Sequence, residues 1–151
     1  MRIFLDYCAL NDALRDATDL ARLRFLRQNH HLVTSTTVVG EALAILGEGE
    51  KEGQYMLVDL IRDLGLELLQ PRKGWPEEMA QLEGMMRSSG VALPSSELAH
   101  MSLAALWSVD LYITSRPEAR TLSKVDGLDH RLKVVDLDQA KELAMRAKDN
   151  H

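Results

Sequence analysis

The sequence predicts a single α/β domain with a mainly parallel central sheet flanked by helices in three layers. Three observations carry this prediction. Short apolar runs rich in strand formers alternate with longer stretches of helical periodicity, the order expected of parallel strands joined by crossover helices. A length of 151 residues, 46% of them hydrophobic and 27% charged, suits one soluble globular core. No internal repeat, low-complexity segment or linker divides the chain, so residues 1–148 form one predicted domain, with residues 149–151 as a frayed tail.

Ile3, Phe4 and Leu5 make the first strand, which ends on Asp6. Asn11–Gln28 follows as a helix with an imperfect stripe of Leu14, Leu20, Leu23, Phe25 and Leu26, and with Asn11 or Asp12 as its cap. His31–Thr34 reads as a strand. Ser35, Thr36 and Thr37 open a compact helix, Val38–Leu46, which Gly47, Glu48 and Gly49 end. Lys51–Leu64 is amphipathic, Gly65 breaks it, and Leu66–Leu69 is a short strand stopped by Pro71. Trp75–Ser89 is a helix with Pro76 in its first turn. Ser95 and Ser96 then cap a helix, Glu97–Val109, that is apolar nearly all round and is expected to be buried. Asp110 turns the chain into a strand, Leu111–Thr114. A polar, basic loop or short helix, Pro117–Gly127, precedes the last strand, Leu132–Val135, and the terminal helix, Leu137–Lys148.

Composition excludes several functions. Aromatic residues are only 5% of the chain, too few for a platform that stacks single-stranded bases. A net charge of -5 argues against gripping nucleic acid by a global positive field, although an acidic metal site that cuts nucleic acid needs local negative charge. One cysteine allows no internal disulfide, which suits a reducing cytoplasm, and neither a membrane-length apolar run nor a signal-peptide pattern is present. Glycine-rich dinucleotide and phosphate-loop motifs are absent, as is zinc-ligand spacing of Cys and His. A phosphoreceiver domain would need an Asp after the middle strand, where Pro71 and Arg72 stand.

Charge placement is more informative. Ile3–Asn11, Leu32–Gly47 and Val91–Val109 together hold 44 residues and three charged side chains, Asp6, Glu41 and Glu97. At the chain average of 27%, about 12 would be expected there. All three are acids in apolar settings, where an unpartnered carboxylate costs several kcal/mol or shifts its pKa. If the three converge, one divalent ion satisfies them all, and Mg²⁺ or Mn²⁺ is the cofactor expected of such oxygen donors. Each acid also has a plainer reading. Asp6 can cap a helix, Glu41 can lie on a polar helix edge, and Glu97 can favour a helix N-terminus. Likewise, His100 reads as a core histidine that could orient Glu97, and Cys8 as a small buried hydrophobe.

The ordered set IFLD, TTVVGEAL, SSELAHMSLAAL and LYITS resembles the PIN-domain family, and more narrowly the VapC-type toxin nucleases. The resemblance spans most of the chain. It implies a PIN-like domain in which Asp6, Glu41 and Glu97 are both catalytic and metal-binding, with His100, Thr114 and Ser115 in support. It further implies metal-dependent hydrolysis of RNA, a small antitoxin protein as partner, and a homodimer. The sequence departs from the family pattern in three places. Glu97 stands where an Asp is usual, Cys8 where a hydroxyl is common, and Arg116 where the fourth, metal-directed acid would be. The second function class is therefore a catalytically degenerate module that binds RNA or a protein without cutting. Two basic clusters bear on RNA. Arg15, Arg22, Arg24 and Arg27 with His30 and His31 fit a solvated, salt-bridged face. Arg116, Arg120 and Lys124, with Arg131 and Lys133, would flank the acids and could hold phosphates.

Overall fold

The computed structural model describes residues 1–47 and 51–149. Glu48 and Gly49, read as part of a helix stop, lie outside the described residues, as do Asn150 and His151 of the tail. Among the described residues, five strands form one sheet, with the third strand of the chain at one edge, followed by the second, the first, the fourth and the fifth. They are β1 (Arg2–Leu5), β2 (His31–Ser35), β3 (Glu67–Leu69), β4 (Leu111–Ile113) and β5 (Val134–Val135), and every pairing among them is parallel. The expected mainly parallel sheet is thus wholly parallel among the described residues. Its centre is buried on both faces: Ile3, Phe4, Leu5, Leu32 and Val33 have no exposed surface.

Among the described residues, seven α-helices cover the sheet: α1 (Tyr7–Arg15), α2 (Ala17–Arg27), α3 (Thr36–Gly47), α4 (Lys51–Asp63), α5 (Trp75–Ser88), α6 (Ser95–Leu106) and α7 (Leu137–Asp149). Right-handed crossovers put α1–α4 on one face, with α7 against α2, and put the paired α5 and α6 on the other. The direction of winding reverses between β1 and β4. From β1 the chain moves outward to β2, whereas from β4 it moves the other way to β5. Such a switch point opens a crevice at the carboxyl ends of the two strands.

The predicted helix Asn11–Gln28 is two helices. Asp16 separates them in an extended conformation, with φ -123 and ψ 114. Its amide donates to the Asp12 carbonyl to close α1, and its carboxylate accepts from the Thr18 amide at 2.7 Å to open α2. The cap of α1 is Asp6 rather than Asn11 or Asp12, so this helix starts directly from β1. At α6 the predicted serine caps are absent. The helix begins at Ser95 behind Pro94, with no side-chain cap. At α3, by contrast, the Ser35 hydroxyl accepts from the Val38 amide at 3.1 Å, as the sequence predicts. The expected strand Leu132–Val135 contracts to its last two residues, and Pro117–Lys124 forms a 3-10 helix.

Gly65 ends α4 with φ +56, and a Cβ placed there would lie 2.6 Å from the Arg27 guanidinium. That guanidinium binds the Leu64 carbonyl at 2.6 Å and ties α2 to the α4–β3 turn. Gly65→Ala should therefore destabilise the protein by about 1–2 kcal/mol, from left-handed strain plus displacement of Arg27. Thermal melts read this loss; an unchanged midpoint would show that the turn relaxes freely.

Candidate active site

The switch point brings Asp6 at the end of β1 beside Thr114 at the end of β4. The register pairs Leu5 with Ile113, and the Asp6 amide donates to the Ile113 carbonyl at 3.2 Å. Strand alternation turns Asp6 to the same face as Phe4, toward α6. The Thr34 hydroxyl satisfies the Leu5 carbonyl at 2.8 Å, closing the polar end of the strand. Asp6 has no exposed surface. One of its oxygens, Oδ1, accepts the Ala9 amide at 2.8 Å, while Oδ2 is buried without a hydrogen-bond partner. Asp6 is thus both a helix cap and a buried carboxylate with one unpartnered oxygen.

Glu97, in the first turn of α6, meets it from above. Tyr112 fixes Glu97 by donating its hydroxyl to Oε1 at 2.7 Å. The Tyr112 ring is itself stacked on Phe4, with centroids 5.1 Å apart. The core thus sets the height of the second carboxylate. The sequence reading did not single out Tyr112; the available signal was one polar tip in an otherwise apolar strand, on the face shared with Asp6. Burial, and then the Glu97 charge, push the Asp6 carboxyl up to about 8, against the pull of the Thr114 hydroxyl and the Ala9 amide. The same burial and charges hold the Tyr112 hydroxyl well above its usual value.

The remaining predicted residues divide. Glu41 on α3 pairs with His100 on α6, Oε2 to Nε2 at 2.5 Å. His100 therefore orients Glu41, not Glu97 as the sequence spacing had it. Its other ring nitrogen faces the Thr37 hydroxyl at 3.4 Å, and Thr37 in turn bonds Ser35 at 2.8 Å. This chain links α3 to α6 across the top of the sheet. Among the described residues, no three His, Cys, Asp or Glu side chains group closely enough to hold an ion together. The acids stand as a pair, Asp6 and Glu97, with Glu41 held apart by His100. Thr114 is buried and Ser115 is exposed. Thr114 Oγ1 accepts the Arg116 amide at 3.2 Å, which turns the chain back over the crevice.

Arg116 brings its Nε to 3.0 Å from Glu97 Oε2. The contact is ionic but poorly aligned, and both atoms are buried with no hydrogen-bond partner. Burial works against the Arg116 charge, yet Glu97, Cys8 and Asp6 together outweigh it and raise the guanidinium pKa. The Cys8 thiol nearby is pushed up to about 11 by burial and then by Asp6, which makes it a poor nucleophile. Beside the crevice runs a groove of about 720 Å³ lined by Thr114, Ser115, Arg116, Arg120, Lys133 and acids that include Asp19 and Asp136. Arg116 and Arg120 thus border the groove, whereas the exposed Lys124 does not line it. In the first basic cluster, Arg22 pairs with Asp19 and Asp138, and Arg24 with Asp63, as expected of a salt-bridged face.

No family profile matches the chain, and a search of curated proteins finds no relative. Solved structures do match. A chain of VapBC2 from Rickettsia felis, determined bound to a DNA fragment from their promoter, superposes with a TM-score of 0.75 at 14% identity, covering 90% of this chain and 98% of that one. A chain of VapBC-1 from nontypeable Haemophilus influenzae superposes with a TM-score of 0.70 at 14% identity, covering 91% and 99%. The fold is PIN-like. At this identity the likeness is one of architecture, and it agrees with the PIN-like domain that the sequence resemblance implies. Among the described residues, no helix is long and apolar enough to cross a membrane.

The raised Asp6 pKa makes the ion-free protein sensitive to pH. Between about 4 and about 8, folded Asp6 keeps a proton that the unfolded chain has released. The associated stability is full below about pH 4 and is lost as pH rises through about 8. In chelator, the wild-type melting temperature should fall across this window. Asp6→Asn, which can still cap α1 and offers Glu97 a donor, should flatten the fall and melt several degrees higher near pH 8, at about 2–4 °C per kcal/mol for a chain of this size. Parallel curves for the two proteins would contradict the assignment.

Proposed function

We propose that the protein is a divalent-metal-dependent endoribonuclease of the PIN and VapC toxin type. The observation that carries this reading is the buried carboxylate pair Asp6 and Glu97 at the switch point, each with an oxygen that has no hydrogen-bond partner. Hard carboxylate oxygens at the carboxyl edge of a parallel sheet, one without a partner and one held only by the charge of Arg116, fit Mg²⁺ or Mn²⁺, and Mg²⁺ commonly takes one or two protein carboxylates and keeps several waters. Asp6 and Glu97 would hold the ion, while Glu41, paired with His100, stands apart from them. A divalent cation bound there supplies positive charge for activating water and for the phosphodiester transition state.

The chain's own residues prepare this chemistry. The Ala9 amide and the Tyr112 hydroxyl each occupy one oxygen of an acid, leaving Asp6 Oδ2 without a partner and Glu97 Oε2 to the charge of Arg116. His100 holds Glu41 in place from the opposite helix layer. Arg116 and Arg120 on the groove wall, with Lys124 on the adjoining 3-10 helix, are suited to RNA phosphates, which position the strand without reading its bases. The structural neighbours are VapBC complexes, and on that likeness a small antitoxin protein is the expected partner. A homodimer in the cytoplasm completes the reading.

A second reading has its own observation. Arg116 stands at Glu97 where the family pattern has a fourth acid, and this favours a module that binds RNA or a protein without cutting. One assay separates the two. Purified protein is incubated with a mixed RNA panel in Mn²⁺, Mg²⁺ or chelator, beside Asp6→Asn. The nuclease reading expects cleavage with metal only, reduced at least about a hundredfold by Asp6→Asn. Folded wild-type protein that cuts nothing at any metal concentration would leave the binding module.

A further inference from the structure

Arg116 is the one cation within salt-bridge reach of the Asp6–Glu97 pair among the described residues. Its guanidinium is three-quarters buried, and Glu97 is almost wholly so. Nevertheless, Arg116 Nε and Glu97 Oε2 satisfy each other by charge alone, since their alignment falls short of a hydrogen bond. A well-built buried ion pair with arginine has aligned, often bidentate contacts. This one offers charge compensation with little directional bonding to break. The backbone of Arg116 is pinned, because Pro117 restricts it to an extended conformation, found at φ -64 and ψ 133, and its amide is bound to Thr114. Any release of Glu97 must therefore come from the side chain. The neighbouring groove provides the room, and Asp136 on its wall provides alternative negative charge.

We propose that Arg116 is a resident counter-ion that occupies the acid pair in the ion-free protein, and that a divalent cation binds only as its guanidinium leaves Glu97 for the groove. This rests on the preceding assignment of Asp6 and Glu97 as the ion's ligands. The two cations compete for the same carboxylate, so Arg116 sets a threshold of divalent-ion concentration below which the acid pair stays closed. The fourth position of the centre is thereby turned from a ligand into a gate. When no ion is present, the gate compensates the desolvated charge of Glu97.

Binding of Mn²⁺ alone tests this without any activity measurement. Isothermal titration and the electron paramagnetic resonance signal of free Mn²⁺ would be compared for wild type, Arg116→Gln, Arg120→Gln and Asp6→Asn. Arg116→Gln should bind at least about tenfold more tightly than wild type, while the equal charge loss at exposed Arg120 should change affinity less than about threefold. Asp6→Asn should abolish binding. Equal affinity of Arg116→Gln and wild type, or equal gains from the two arginine variants, would overturn the gate and leave the ion site standing. Absence of Mn²⁺ binding in every protein would overturn both. A measurement on wild type alone guards against a misfolded variant. In an NMR titration with Mg²⁺, the Arg116 Nε–H resonance should shift with the same concentration dependence as the Ala9 amide, which reports on Asp6. A moving Ala9 signal beside an unmoved Arg116 signal would refute the exchange.

Discussion

The structure turns on the desolvation of one carboxyl group. Asp6 ends a strand with no exposed surface and faces a second acid, Glu97, across the crevice. Neither burial nor like charge favours an ionised pair. The surroundings of the pair read as responses to that cost. The Ala9 amide and the Thr114 hydroxyl favour charge on Asp6, and Tyr112 donates to Glu97. A fold that tolerates such a pair at the mouth of a switch point carries local instability where chemistry is to be done, and a bound cation would relieve it.

The hydrophobic core and the site are mechanically one object. Phe4 and Tyr112 stack in the centre of the sheet, and the Tyr112 hydroxyl emerges to hold Glu97. The distance from strand to α6 is therefore set by aromatic packing, and so is the spacing of the two acids. Glu97 has one methylene more than the Asp usual in the family, and a hydroxyl that fixes its head compensates for the added freedom. On the other flank, the path Ser35–Thr37–His100–Glu41 ties α3 to α6. The two helix layers are thus joined over the carboxyl edge, where an open sheet would otherwise leave them apart.

Arg116 changes the meaning of this arrangement. A PIN-like fold with four acids accumulates negative charge that only metal can neutralise, whereas this chain brings a cation of its own. The nuclease and binding readings differ mainly in what dislodges that cation. A divalent ion would convert the crevice into a hydrolytic centre, and without one the guanidinium and groove offer a binding surface for an anionic partner.

Much of this was legible in the residues. Alternation of apolar runs and helical stretches determined the α/β class, and the isolation of Asp6, Glu41 and Glu97 in uncharged segments marked the acids, because a lone charge in an apolar run must meet something. Arg116 was conspicuous as a basic residue after the LYITS strand. Local reading failed where a partner lies far along the chain. Asp16 looked like one more polar position in a helix, yet its carboxylate splits that helix in two. His100 sits one turn from Glu97, and sequence spacing therefore joined them, but its ring reaches Glu41, 59 residues away. Tyr112 could be placed in a strand but not assigned to Glu97. The sequence by itself determined the fold class and singled out three isolated acids, since both follow from patterns within single elements. Only the tertiary structure decided which acids share a crevice, which one a histidine holds apart, and where the arginine's charge falls. Those are distances between elements, set by sheet order and helix packing.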